Sequence, residues 1–207
     1  MAEQHNKDAT YRRAKKEGYR ARSAYKLLEI ENRYKIFKRA FYIIDIGSAP
    51  GSWLQVAKSK AEENILKYDD KYYHRECYKI LGVDVKSISP IENVKILKMD
   101  IGKPEFLLEI KSYFGDEVDL ILSDASIQKS GNKFSDQIQQ IKLGYKILNL
   151  LEILKKNGIL VIKLFRGADY QDFFEEIKRK FQIVRGFKPK SSNKKSNETF
   201  IIGLKKF

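Results

Sequence analysis

The strongest constraint on the fold is an alternation of short, nearly all-apolar segments with longer segments of helical periodicity. The short segments have the length and composition of strands that are buried on both faces. Strands that alternate with helices form a mostly parallel sheet with helices on both faces, so the sequence predicts an α/β fold. Seven strands are predicted, over Phe41–Ile46, Lys79–Asp84, Val94–Met99, Val118–Leu122, Gly158–Leu164, Phe181–Phe187 and Thr199–Leu204.

The helices are predicted from apolar spacing and from residues that favour helix starts. Arg22–Asn32 has helical spacing, with Ser23 as its N-cap, and a second helix is expected to start at Pro50. Two more are predicted over Asp136–Lys155 and Tyr170–Lys180. The last two strands are joined only by an irregular, Lys- and Ser-rich connection. Because that connection is too short and polar for a crossover helix, we expect these strands to pair antiparallel.

Length and composition bound the class of protein. A chain of 207 residues, 43% of them hydrophobic, suits one domain over 1–207, with a basic N-terminal extension at 1–21 and a charged insertion at 58–78. The single cysteine, Cys77, excludes an intramolecular disulfide framework. No apolar run reaches the roughly 18 residues that a membrane span needs, and no targeting segment is evident. We therefore expect a cytoplasmic monomer with no membrane partner.

Positive charge is concentrated at the two ends of the chain. The formal net charge of +14 divides into +7 over 1–39, −2 over 40–177 and +9 over 178–207. Of the 41 basic residues most are Lys, so nucleotide bias in the coding sequence is one explanation. Bias alone would not leave the middle of the chain without net positive charge. The distribution therefore favours a surface for a polyanion such as nucleic acid.

The carboxyl ends of the predicted parallel strands carry acidic side chains. Ligands of such sheets bind outside these strand ends, and an aspartate that closes the second strand accepts hydrogen bonds from ribose hydroxyls. In the turn after the first strand, Gly47 permits a tight turn and Gly51 lets a ligand approach the backbone. The turn lacks the G-x-G-x-x-G pattern of dinucleotide sites, which disfavours a dehydrogenase. The predicted site for a cationic nucleoside includes Asp45, Asp84, Asp100 and Asp124.

Each of these residues also has a purely structural explanation. A single strand-end carboxylate can be solvated or can cap the next helix. Trp53, the only tryptophan, can pack in the core instead of contacting a ligand. Four carboxylates at one edge of a sheet make the structural explanation less favourable than it is for any one of them.

Five segments in order resemble the FtsJ/RrmJ family of ribosomal RNA ribose 2′-O-methyltransferases. The resemblance extends from about Tyr11 to Leu204, nearly the whole chain. It implies a Rossmann-like class I methyltransferase fold that uses S-adenosylmethionine, with a seven-stranded sheet whose last strand is antiparallel. The segments are Arg20-Ala-Arg-Ser-Ala-Tyr-Lys-Leu-Leu-Glu29, Asp45-Ile-Gly-Ser-Ala-Pro-Gly-Ser-Trp53, Leu122-Ser-Asp124, Val161-Ile-Lys-Leu-Phe-Arg-Gly167 and Lys188-Pro-Lys-Ser-Ser192 through Glu198.

The resemblance also implies roles for individual residues. The resemblance implies no metal. The family's usual target is a uridine of the large-subunit ribosomal RNA, as naked RNA or within the ribosomal particle. Family members work in bacterial cytosol, mitochondria and nucleoli, so a mitochondrion or nucleolus is the alternative to the cytoplasm. The family's catalytic Lys–Asp–Lys–Glu tetrad falls on Lys26, Asp124, Lys163 and Glu198, and its cofactor contacts fall on Gly51, Trp53, Asp84, Asp100 and Asp124.

The chemistry of ribose methylation is consistent with these residue types. A 2′-hydroxyl is a poor nucleophile until a base removes its proton. Lys163 lies inside an apolar run, where an uncompensated charge is costly, and the nearby cation Lys26 would favour its uncharged form. Asp124 and Glu198 would orient the two amines. Without the resemblance, Lys26 is equally well explained as a lysine on the surface of a helix, and Glu198 as an acid that balances the positive charge around it.

Two features depart from the family's pattern and leave other functions open. The usual Asp-Met-Ala-Pro-Asn after strand four is Asp124-Ala-Ser-Ile-Gln128 here, without the proline that stiffens the loop. The 58–78 insertion lengthens the gap before strand two.

Basic segments at 11–16 and 188–195 flank the tetrad and are expected to hold RNA phosphates. Two alternatives to ribosomal RNA methylation stay open. One is methylation of transfer RNA or capped messenger RNA, and the other is a catalytically silent ribosome-assembly factor.

Overall fold

The computed structural model describes residues 10–68, 77–115, 117–128, 130–193 and 195–207, apart from the side chain of Lys133. No helix in these residues is long and apolar enough to cross a membrane. The described helices are α1 (10–16), α2 (Ala24–Tyr34), α3 (Ser52–Lys67), α4 (Glu105–Phe114), α5 (Lys133–Leu148) and α6 (Tyr170–Lys178), with a 3₁₀ turn at Asn149–Glu152. The strands are β1 (Tyr42–Ile46), β2 (Lys79–Asp84), β3 (Lys95–Lys98), β4 (Val118–Ser123), β5 (Leu154–Phe165), β6 (Phe181–Phe187) and β7 (Glu198–Lys206).

The strands form one seven-stranded sheet in the order β3-β2-β1-β4-β5-β7-β6. All pairings up to β5 are parallel, whereas β7 runs antiparallel to both β5 and β6. The strand order reverses between β1 and β4, where ligand sites of such sheets lie. The prediction of a seven-stranded, mostly parallel sheet with an antiparallel last strand is confirmed.

Helices cover both faces of the sheet, as the buried strands require. Alternate residues of a strand point to opposite faces, so Ile43 of β1 joins one core cluster and Ile44 joins the other. The cluster that contains Ile43 packs against α2 and α3, and the cluster that contains Ile44 packs against α4, α5 and α6. The carboxyl ends of the parallel strands are left uncovered between these layers.

Some predicted boundaries are wrong. The helix predicted to extend to Lys155 ends at Leu148, because the chain turns through a 3₁₀ segment and Leu154 already pairs with Val118 as the first residue of β5. Pro50 precedes helix α3 instead of lying within its first turn. Ser23 is the N-cap residue of α2, as predicted, but it makes no capping hydrogen bond, and its hydroxyl lies 2.8 Å from that of Ser52.

The predicted extension and insertion are only partly described. Residues 10–16 of the basic N-terminal extension form α1, and residues 1–9 lie outside the described residues. The first part of the predicted insertion, 58–67, is the second half of α3, where Ala61 and Asn64 are buried. The segment 69–76 lies outside the described residues.

Candidate active site

The sheet brings together four residues that are far apart in sequence. Asp124 directly follows β4, and Lys163 lies near the carboxyl end of the neighbouring strand β5. Glu198 is the first residue of β7, and because β7 is antiparallel its start pairs with Phe165 at the carboxyl end of β5. Lys26 comes from α2, which covers this face of the sheet. These four residues are called the tetrad below.

The charges of the tetrad alternate along a short chain of contacts. Lys26 Nζ lies 2.6 Å from Glu198 Oε1 and 3.7 Å from Asp124 Oδ2. Lys163 Nζ lies 3.0 Å from Asp124 Oδ1 and donates a hydrogen bond of 2.5 Å to the Asp124 carbonyl. Asp124 therefore touches both lysines. The four predicted tetrad residues are joined in one chain of contacts, Lys163–Asp124–Lys26–Glu198.

The tetrad is shielded from solvent but not sealed. The Lys163 side chain is 6% exposed, whereas Lys26, Asp124 and Glu198 are 13–17% exposed. Burial raises the pKa of Glu198, but the charges of Lys26 and Lys163 and the hydrogen bonds from Lys26 and Ser192 outweigh it, so the pKa lies below the ordinary value. Glu198 is therefore a carboxylate at neutral pH, suited to hold a lysine in place.

A cavity of about 570 Å³ opens at the carboxyl ends of β1, β2 and β4, beside α5. We call it the strand-end cavity. Its size is in the range of small-molecule sites. Gly47 is required at its wall, because a Cβ there would lie 2.4 Å from the Cα of Ala125. The predicted carboxylates Asp84, Asp100 and Asp124 all line this cavity.

Two of these carboxylates are oriented by backbone N–H groups. Asp84 accepts hydrogen bonds from the N–H groups of Ala49, at 2.9 Å, and Lys86, at 2.8 Å. Asp100 accepts one from the N–H of Gly102 at 2.7 Å. The loops after β2 and β3 thus fix acceptor groups at the cavity, which suits recognition of hydroxyl or cationic ligand groups.

Asp45, the fourth predicted carboxylate, lies inside the protein. It is fully buried, neither of its carboxylate oxygens accepts a hydrogen bond from a described residue, and it does not line the strand-end cavity. Burial and the charges of Asp124 and Asp84 raise the pKa of Asp45 well above its ordinary value. The surroundings of Asp45 therefore disfavour its charged form.

Gly51 and Trp53 do not line the strand-end cavity. The Trp53 indole N–H donates to the Ser23 carbonyl at 2.8 Å, and its ring lies 5.7 Å from that of Phe200. Gly51 has a φ of 106°, and a Cβ there would lie 2.8 Å from the Arg20 guanidinium. In this structure Trp53 packs in the core, and the predicted cofactor contacts of both residues stay predictions.

Two polar residues that shape the site were missed by sequence reasoning. Arg20 donates hydrogen bonds to the carbonyls of Pro50, Ser89 and Pro90. These bonds join the turn after β1 to the loop after β2. Gln140 of α5 is 1% exposed and donates to the carbonyl of Ala125 in the loop after β4. Arg20 begins one of the family segments, but the resemblance gave it no role, and no local pattern marks Gln140. The described ranges hold no group of three or more His, Cys, Asp or Glu that could hold a metal ion.

Comparison with known proteins agrees with this geometry. The model of the FtsJ-like methyltransferase family matches residues 19–206. The chain belongs to this family. Every residue of the tetrad and of the strand-end cavity falls within the matched range.

Individual relatives extend the similarity over nearly the whole chain. A protein of Methanothrix thermoacetophila named ribosomal RNA large subunit methyltransferase E is 36% identical over 96% of this chain and 72% of its own length. A protein of the same name from Methanoculleus marisnigri is 38% identical over 98% of this chain and 93% of its own. A crystal structure described as a ribosomal RNA methyltransferase, from Plasmodium falciparum, aligns with a TM-score of 0.76 at 29% identity, over 91% of this chain and 98% of that chain.

Proposed function

We propose that this protein transfers the methyl group of S-adenosylmethionine to a ribose 2′-hydroxyl of ribosomal RNA, with a large-subunit uridine as the target. The observation that carries the proposal is Asp124, which lines the strand-end cavity and also contacts Lys26 and Lys163. A ligand in the cavity would therefore lie next to a pair of amines. Membership of a methyltransferase family and the names of the relatives support the same reaction.

The residues present fit S-adenosylmethionine. Its ribose hydroxyls and its sulfonium cation both suit carboxylate acceptors, which Asp84, Asp100 and Asp124 provide. The missing side chain at Gly47 lets the turn after β1 pack closely against Ala125 at the wall of the cavity. When bound, the cofactor supplies an electrophilic methyl group. The protein's own contribution is to hold the RNA hydroxyl in line with that group.

Within the tetrad we assign Lys163 as the base that accepts the hydroxyl proton. It is the most buried of the four side chains, and its amine is held by the Asp124 carboxylate and carbonyl. Lys26 is a second amine on the other side of Asp124, and Glu198 restrains it at 2.6 Å. All four residues come from one chain, so the tetrad is complete without a second copy of the protein.

The basic ends of the chain support RNA as the substrate. The tetrad draws one residue from α2 and one from the start of β7, so the segments around 11–16 and 188–193 are connected to elements that build the site. Lys16 and Lys190 are exposed in these segments, where they can contact phosphates without reading sequence. Part of the charge serves the fold, since Arg20 binds three backbone carbonyls. We place the reaction where large subunits mature, in the cytoplasm.

The deciding experiment measures transfer of a labelled methyl group to three substrates in parallel. These are undermethylated large ribosomal subunits, transfer RNA and capped RNA, and the modified nucleotide is then mapped. We expect transfer to the large-subunit RNA only, at a uridine 2′-hydroxyl, and none with Lys163→Ala. Transfer to transfer RNA or capped RNA would replace the substrate assignment. Binding to subunits without transfer to any RNA would favour an assembly factor.

A further inference from the structure

A ring of contacts connects the tetrad to the basic loop before β7, whose residues 188–193 are called the basic loop here. Ser192, in that loop, is 6% exposed, and its hydroxyl donates a hydrogen bond of 2.9 Å to Glu198 Oε1. This is the oxygen that lies 2.6 Å from Lys26 Nζ. The Glu198 carboxylate, which holds Lys26, is therefore itself held by the buried Ser192.

The same loop is fixed to helix α2 at a second point. Glu29 accepts hydrogen bonds from the backbone N–H of Lys190 at 2.6 Å and of Ser191 at 2.9 Å. Two N–H donors on one carboxylate make a charge-assisted, directional contact. Glu29 is three residues after Lys26 on α2, so the two side chains lie on neighbouring parts of one helix face.

The two contacts close a ring that passes through both the helix and the loop. Helix α2 carries Lys26 and Glu29, and the loop carries Ser192 between its Glu29 contact and Glu198. A shift of the loop relative to α2 would therefore move the Glu198 carboxylate relative to the Lys26 amine. The loop also carries Lys190, whose exposed side chain is available to RNA.

We propose that Ser192 and Glu29 are positioning residues for methyl transfer, which set the Lys26–Glu198 geometry and couple it to the RNA-binding loop. The inference rests on the proposed function, and neither residue touches the reacting atoms. Losing one hydrogen bond to a charged group is expected to reduce kcat about tenfold. Cofactor affinity should not change, because neither residue lines the strand-end cavity.

The pH profile separates positioning from a general structural role. The groups that face Glu198 are Lys26 from α2, Lys163 from β5 and the Ser192 hydroxyl, each of which lowers the pKa of Glu198 against the effect of burial. Glu198 must be ionised to hold Lys26, so its protonation contributes to the acidic limb of the kcat profile. Removing the Ser192 hydroxyl raises the pKa of Glu198, so the acidic limb of the kcat profile should move to higher pH.

The experiment compares Ser192→Ala, Ser192→Thr, Glu29→Ala and the control Ser59→Ala, which removes an exposed hydroxyl from α3. The kcat, the KM for RNA and the pH profile are measured, with cofactor Kd and thermal unfolding as checks of folding. We expect Ser192→Ala to lose about tenfold in kcat with a shifted acidic limb, Ser192→Thr to restore both, and Glu29→Ala to lower kcat and raise the KM for RNA.

The possible failures are distinguishable. An inactive wild-type protein would overturn the proposed function, and this inference with it. An active wild type together with a folded Ser192→Ala variant of unchanged kcat and unchanged acidic limb would overturn the inference alone. If Ser192→Ala fails to fold, the inference is decided by Glu29→Ala, whose unchanged kcat and KM would overturn it.

Discussion

The two ends of strand β4 carry aspartates that pair with lysines of β5, and the pairs serve different purposes. At the amino end, Asp119 contacts Lys155 and accepts hydrogen bonds of 2.7 Å from the N–H groups of Phe41 and Tyr42. At the carboxyl end, Asp124 contacts Lys163 and also a second lysine, Lys26.

The two pairs differ in what else each aspartate carboxylate faces. Asp119 is 3% exposed and joins β1, β4 and β5 through contacts within the protein. Asp124 is 17% exposed and lines the strand-end cavity. Buried ion pairs are therefore not by themselves a sign of catalysis. The Asp119 pair lines a small cavity of about 160 Å³, whereas Asp124 opens onto the strand-end cavity of about 570 Å³ at the switch point of the sheet, which is what marks the candidate site.

The largest expected effect comes from breaking the pair at the carboxyl end. Lys163→Ala should reduce methyl transfer by about 10³-fold or more, because the proposed base is removed. Cofactor binding should persist, since Lys163 does not line the strand-end cavity. Single-turnover transfer of labelled methyl groups and calorimetric titration of the cofactor measure the two effects. Near wild-type transfer would refute the role of Lys163.

Breaking the pair at the amino end should change stability instead. Lys155→Ala leaves the Asp119 charge buried without its ion-pair partner, so we expect the free energy of unfolding to fall by about 3 kcal/mol. Urea denaturation measures this loss. Methyl transfer below the unfolding transition should stay close to wild type. A variant of unchanged stability but lost activity would mean that the two ends are not functionally distinct.

Asp45 sharpens the comparison because no lysine accompanies it in the described structure. Its pKa is raised in the folded protein, so its contribution to stability is present below the unfolded pKa and is lost as the pH rises through the folded pKa. Asp45→Asn cannot ionise and should not show this loss. Unfolding free energies between pH 4 and 8 should therefore fall less with pH in the variant, in the absence of cofactor. Parallel pH dependences would contradict this expectation.

The smallest expected effect concerns charge on the surface. Lys190 has an exposed side chain, and only its backbone N–H binds Glu29. Lys190→Ala should weaken RNA binding about threefold at moderate salt and should leave the unfolding free energy unchanged. Binding of the wild type should weaken as salt is raised. RNA affinity that is independent of salt would argue against the basic ends as phosphate contacts.

Sequence patterns predicted the fold better than they predicted the ends of its elements. The strands Lys79–Asp84 and Phe181–Phe187 have the predicted bounds. In Lys79–Asp84 a short apolar run that is buried in the sheet is a local signal, whereas Phe181–Phe187 is an edge strand with exposed Gln182 and Arg185. The helix predicted to end at Lys155 ends at Leu148, because apolar residues after it fill the core from a 3₁₀ turn and from the start of β5. Periodicity cannot distinguish these alternatives.

The candidate site was predicted residue by residue only where a family motif marked it. Lys26 and Glu198 have no distinctive local pattern, yet they lie 2.6 Å apart. Ser192, Glu29 and Gln140 were not identified, since their roles depend on partners up to 162 residues away. The pair of Asp119 and Lys155 was missed for the same reason.

The sequence by itself determined the order of the strands, the family and the residues proposed for the tetrad, because apolar periodicity and motifs are written in neighbouring residues. Only the tertiary structure decided which charges are used inside the protein and which face the strand-end cavity. It paired Asp119 with Lys155 and Asp124 with Lys163, and left Asp45 buried in the neighbouring strand β1. The reason is physical: the energy of a charge depends on its distance from other charges and on its burial, and both are fixed only when the sheet forms.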